Sequence, residues 1–117
     1  HIPEEMYLTN VEYILSLLLA TGAQLIWATI TPVHPTKCSP DSGGGLLTNK
    51  TIASYNEATR SLMKRYHVPV NDLNALVLGD PDLLLGEDHL HLSEAGERAC
   101  GKAVADAIRP YLAKAAD

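Results

Sequence analysis

The chain has 117 residues, 46% of them hydrophobic, with no Phe and a formal net charge of -5, a length and balance that fit one domain with a real core. An acidic balance without any Lys/Arg cluster argues against binding to nucleic acid or to an anionic membrane surface. The apolar run at Leu15–Ala20 is far shorter than the roughly 20 residues that span a bilayer, so no transmembrane segment is expected. Small neutral or cationic partners remain open.

Pro3, Glu4 and Glu5 suit a first helical turn, where Pro loses no hydrogen bond and the acids complement the dipole. That helix is expected to run to about Thr21 and stop at Gly22. Val11, Ile14, Leu15 and Leu18 form its apolar stripe, and Leu17 and Leu19 widen it beyond what one sheet face covers. QLIWATITPV follows, rich in β-branched residues, and Gln24–Thr31 reads as a parallel strand buried on both faces. Pro32–Asn49 holds three prolines and three consecutive glycines and reads as a long, mobile loop.

Thr48 or Asn49 can cap a helix through about His67, with Ile52, Tyr55, Thr59, Leu62, Met63 and Tyr66 at helical spacing. Val68–Leu73 reads as a second strand, and NALVLGDPDLLLG can hold a helical turn. Ser93 caps a last helix through about Ala113, whose inner face carries Ala99, Cys100, Ala103, Val104, Ala107 and Ile108 for packing on a sheet. The order helix, strand, helix, strand, helix predicts an α/β layered fold with right-handed crossovers. Cys38 and Cys100 lie far apart without metal-ligand spacing, and two free thiols is the plainer reading. The opening HIPEEMY has no basic n-region and reads as the inside of a longer protein, so the compartment is not legible.

EDHLHLSEAGERA carries the chemistry. Asp88 and His91 stand three apart before a helix N-terminus, so the Asp88 carboxylate can accept from one imidazole nitrogen and leave the other free to take a proton. That pair supplies the base and orienter of a nucleophilic triad. It falls at the carboxyl edge of the predicted strands, where open α/β sheets bind ligands. The plainer reading is that both residues decorate a helix N-terminus. In a third reading His89 and His91 point the same way on an extended segment and clamp a metal with Asp88, with His34 or Asp41 as distant ligands.

Asp88-x-x-His91-Leu92-Ser93-x-x-Gly96, opening a final helix, resembles the last sequence block of the SGNH hydrolases, the GDSL lipase/esterase family. LIWATITPV resembles that family's penultimate core strand, and the helix with YNEATRSLM resembles the one after it, where a pair such as Tyr55-Asn56 often occurs. The resemblance covers nearly the whole chain and implies a three-layer, flavodoxin-like parallel sheet. Residues 1–117 would then be the C-terminal portion of a single domain. It also implies hydrolysis of carbohydrate acetyl or small acyl esters without a cofactor, with His91 as general base, Asp88 as its orienter and His89 and Leu90 as spacers.

Tyr55 and Asn56 have a plainer role in packing and local hydrogen bonding. The family's Gly-Asp-Ser nucleophile block and its oxyanion-hole glycine and asparagine have no counterpart here. Asp41-Ser42-Gly43 offers a possible substitute nucleophile, Ser42, in the long loop. Two alternatives stand beside the hydrolase. One is a non-catalytic module that self-associates, as a two-fold dimer, or complements another polypeptide. The other is a metal-dependent hydrolase using Asp88, His89 and His91. The apolar edge strand and the wide first-helix stripe point to a homo-oligomer.

Overall fold

The computed structural model describes residues 2–38 and 48–116. Helix α1 spans Glu4–Leu19 and starts after Pro3, with Glu4 and Glu5 in its first turn. It ends where the sequence places a stop: Gly22 takes φ 78°, and its amide donates to the Leu19 carbonyl at 3.1 Å. Glycine reaches this left-handed conformation without the Cβ penalty that other residues meet. Val11 and Leu15 are buried, whereas Ile14, Leu17 and Leu18 remain about half exposed. The stripe is therefore wider than its cover, as the sequence suggested.

Strands β1 (Trp27–Ala28) and β2 (Val70–Asn71) form one parallel pair with Trp27 opposite Val70. Between them lies α2 (Asn49–Arg65), capped by the Thr48 hydroxyl, which accepts from the Thr51 amide at 3.2 Å. The chain then forms α3 (Leu73–Leu78), α4 (Pro81–Leu84) and α5 (Glu94–Ala116). Asp72 and Asp80 accept from the Ala75 and Leu83 amides and so cap the two short helices.

The expected three-layer, flavodoxin-like parallel sheet is not found. The protein is mostly helical, and its sheet is two strands of two residues each. Gln24–Thr31 and Val68–Leu73 shrink to these short pieces for a local reason. The Trp27 amide donates to the Pro69 carbonyl at 2.9 Å, and the next ladder bond toward Leu25 needs an N–H that Pro69 lacks. At the other end Asp72 turns the chain into α3.

Beyond Ala28 the backbone is held by side chains instead of a strand. Asn56 accepts from the Ile30 amide at 2.8 Å and donates to the Ile30 carbonyl at 3.0 Å. Asn49 repeats the pattern on Val33, at 3.0 and 2.9 Å. These two asparagines, two helical turns apart on α2, satisfy groups that a neighbouring strand would otherwise have to reach.

Two small cores result. Val11, Leu15, Leu62, Met63 and Val68 form one, with Leu25, Trp27 and Val70 packed around it. Val77, Leu84, Leu85 and Cys100 form the other, with Leu92, Ala95 and Ala99 against it. The last helix thus packs chiefly on α3 and α4 and only in part on β2, and Val104 and Ile108 stay 38% and 39% exposed. Among the described residues neither Cys38 nor Cys100 forms a disulfide. Of the expected mobile loop, Pro32, Val33 and His34 are buried, while residues 39–47, including Asp41, Ser42 and Gly43 to Gly45, lie outside the described residues.

Candidate functional site

The segment from Leu84 to Gly96 is a pinched loop feeding a helix. Leu85 and Leu92 form an antiparallel bridge, the Gly86 amide donates to the His91 carbonyl at 2.8 Å, and the Ser93 amide donates to the Leu84 carbonyl at 2.9 Å. Ser93 caps α5 as expected: its hydroxyl accepts from the Gly96 amide at 3.0 Å and donates to the Leu83 carbonyl at 2.6 Å. A Cβ on Gly96 would lie 2.0 Å from the Leu84 carbonyl oxygen. Helix and loop can approach this closely only with glycine there.

Asp88 closes the loop tip. Its Oδ1 accepts from the amides of Leu90 at 3.0 Å and His91 at 2.9 Å, and its Oδ2 meets His91 Nδ1 at 2.5 Å. The hydrogen bond from the His91 ring, followed by those from the His91 and Leu90 amides, holds the Asp88 carboxyl far below the usual carboxylate range. An ionised carboxylate only accepts, so Nδ1 carries the proton, and Nε2 is the lone-pair nitrogen of the neutral ring. The His91 side chain is 81% exposed, and Nε2 has no partner among the described residues.

Because Ser93, not Asp88, caps the helix, the Asp88–His91 pair is separate from the helix terminus that the plainer reading invoked. The pairing of Asp88 with His91 is thus as the sequence spacing suggested. The shared-side geometry expected for His89 and His91 does not occur. His89 adopts φ 59°, which breaks the two-residue alternation of an extended chain, and its ring meets His34 edge-on at 5.5 Å between centroids. Among the described residues no group of three His, Cys, Asp or Glu side chains is placed to hold a metal ion. Asp41 and the substitute nucleophile Ser42 are outside those residues.

Tyr55 and Asn56 are structural in this geometry. Tyr55 stacks at a tilt on Tyr7, 5.0 Å between centroids, and its hydroxyl donates to the Ile2 carbonyl. Asn56 holds Ile30.

A second histidine–aspartate pair was not foreseen. His34, 7% exposed, accepts at Nδ1 from the amides of Thr36 at 3.2 Å and Lys37 at 3.1 Å. Its Nε2 therefore bears the proton and donates to Asp82 Oδ1 at 2.9 Å, an oxygen that also accepts from Lys37 Nζ at 2.6 Å. The lysine bond first, and the histidine bond second, lower the Asp82 carboxyl below its ordinary range. The only local signal was a histidine between Pro32 and Pro35; nothing in the sequence ties it to Asp82. With both nitrogens engaged, His34 is a structural group, opposite in tautomer to His91.

The described residues contain no helix long and apolar enough to cross a membrane. A groove of about 310 Å³ runs between α1 and β1, lined by Val11, Ile14, Leu15, Leu18, Leu25 and Trp27 among others. The buried Trp27 indole N–H has no hydrogen-bond partner among the described residues. Comparison of the sequence with protein-family models and with curated proteins yields no match.

Proposed function

We propose that this chain carries the base and orienter of an ester hydrolase of the SGNH (GDSL) type, with His91 as general base and Asp88 as the group that fixes its tautomer. One observation carries the reading: Asp88 holds Nδ1 of an exposed imidazole whose Nε2 has no partner among the described residues. In the reaction, Nε2 takes the proton of an attacking hydroxyl as its oxygen bonds the ester carbonyl carbon, then returns it to the departing alcohol as the tetrahedral intermediate collapses. Asp88 stays ionised throughout and stabilises the imidazolium. The nucleophile and the oxyanion donors come from outside the described residues, and Ser42 is the substitute within the chain.

The motif supports the reading through its physical parts: Asp88 orients, Ser93 caps α5, and Gly96 admits the Leu84 carbonyl. The substrate class, carbohydrate acetyl or small acyl esters, follows from the resemblance. The test joins this segment to the Gly-Asp-Ser and oxyanion blocks of a hydrolase of that family and measures fluorophosphonate labelling. Labelling that disappears in His91→Ala is expected. Labelling equal in both proteins would refute the assignment.

A second reading, a module that self-associates as a dimer, is favoured by the half-exposed Ile14, Leu17 and Leu18 of α1 beside the apolar groove. Sedimentation of the chain at micromolar concentration decides it, with a compact monomer as the contrary result.

A further inference from the structure

The loop that presents His91 is tied to a distant part of the chain through His34. The His34 amide donates to the His89 carbonyl at 2.9 Å, and the two rings meet edge-on. His34 is itself immobilised on three sides. Its own turn fills Nδ1, Asp82 on α4 fills Nε2, and the side chain is 6% exposed. His89, in contrast, is a non-glycine residue in the left-handed region at φ 59°. That conformation is disfavoured for a residue with a Cβ, and it persists only where the surroundings over-determine it. It is also what reverses the chain between Asp88 and His91, so that the His91 ring returns over the carboxylate.

We propose that His34 is a positioning residue for His91, acting through His89: its anchored amide and ring edge hold His89 in the left-handed conformation that brings the His91 imidazole onto Asp88. This rests on the reading of Asp88 and His91 as the working pair. It assigns buried His34, held by the exposed Asp82 and by its own turn, a purpose that its own chemistry, with both ring nitrogens occupied, does not otherwise supply.

Long-range proton–nitrogen correlation of the histidine rings in the 15N-labelled chain tests the proposal. Free imidazole in water favours the Nε2–H tautomer, so the Nδ1–H form at His91 reports the Asp88 contact, and Asp88→Ala supplies the signature of a released ring. In the wild-type chain His91 is expected as Nδ1–H and His34 as Nε2–H. In His34→Ala the Nδ1–H form of His91 should fall from majority to minority. In the double variant His34→Ala/His89→Gly it should return, because glycine takes the left-handed conformation without support.

An unchanged His91 in His34→Ala, or a loss that His89→Gly does not restore, overturns the proposal. Should His34→Ala fail to fold, His34→Leu is read the same way, since it fills the buried position but can neither accept the turn amides nor bond Asp82. The hydrolase reading fails separately: a wild-type His91 lacking the Nδ1–H form denies the pair itself, while intact tautomers in a protein that never labels deny only the reaction.

Discussion

Asn56 grips the backbone of Ile30 from both sides, accepting from its amide at 2.8 Å and donating to its carbonyl at 3.0 Å, with the asparagine only 6% exposed. The Ile30 carbonyl has a second donor in Asn74 Nδ2 at 2.9 Å, whereas Asn56 is the partner found for the amide. Replacing Asn56 with Ala should therefore leave one part-buried donor, the Ile30 amide, without its partner and cost about 1–3 kcal/mol. Asn56→Asp should be at least as damaging near neutral pH, because a carboxylate cannot donate to the Ile30 carbonyl. Urea unfolding measures both, and a change in Asn56→Ala within about 0.5 kcal/mol would show that the clamp is dispensable.

Gly96 and Gly101 share α5 but face different surroundings. A Cβ at Gly96 would strike the Leu84 backbone, whereas at Gly101 it meets nothing within 4 Å. Gly96→Ala should destabilise the fold by about 1–3 kcal/mol through overpacking, even after the gain in helix propensity. Gly101→Ala should stabilise it by about 0.5–1 kcal/mol. Thermal melting of the two variants should move in opposite directions, and a shared direction would contradict the close approach of α5 to Leu84.

Asp88, Asp82, Asp72 and Asp106 all have carboxyl pKa values below the ordinary one. Asp72 does so although burial pushes it up, because the Ala75 amide, the Arg60 guanidinium and the Thr29 hydroxyl outweigh that push. A pKa lowered by folding gives stability that is fully present above the unfolded value, about 4, and is lost as pH falls toward the folded value. Melting temperature should thus fall as pH drops below about 4, by an amount that solvent screening of these exposed carboxylates keeps small, with little contribution from these groups above about pH 5. Asp82→Asn should flatten part of that slope. A melting temperature that does not change between about pH 4 and pH 2 would refute the assignment.

In a complete hydrolase containing this segment, His91→Ala should lower ester turnover by about 10²–10⁴-fold, the usual contribution of a general base. Asp88→Asn should lower it less completely, since the ring keeps its base but loses its charged orienter. His89→Gly should leave turnover nearly unchanged because glycine accepts the φ that His89 already adopts. Stopped assays on all three give the order directly, and losses at position 89 as large as those at 91 would favour the metal-dependent alternative.

The three long helices α1, α2 and α5 and the Asp88–His91 pair were legible because their causes lie within a few residues. Thr48 and Ser93 cap amides three residues away, Gly22 stops α1 in place, and Asp88 needs only His91 and Leu90. Strand length was not legible from Gln24–Thr31, because a strand exists only where a neighbour can complete its ladder. Here Pro69 withholds a donor, and Asn56 and Asn49 on α2 take the backbone groups beyond. Only the tertiary structure could join His34 to Asp82, 48 residues away, place the Gly96 Cα against the Leu84 carbonyl, and turn His89 into the left-handed region. Each depends on which distant backbone arrives beside the residue, and residue type and spacing carry no record of that arrival.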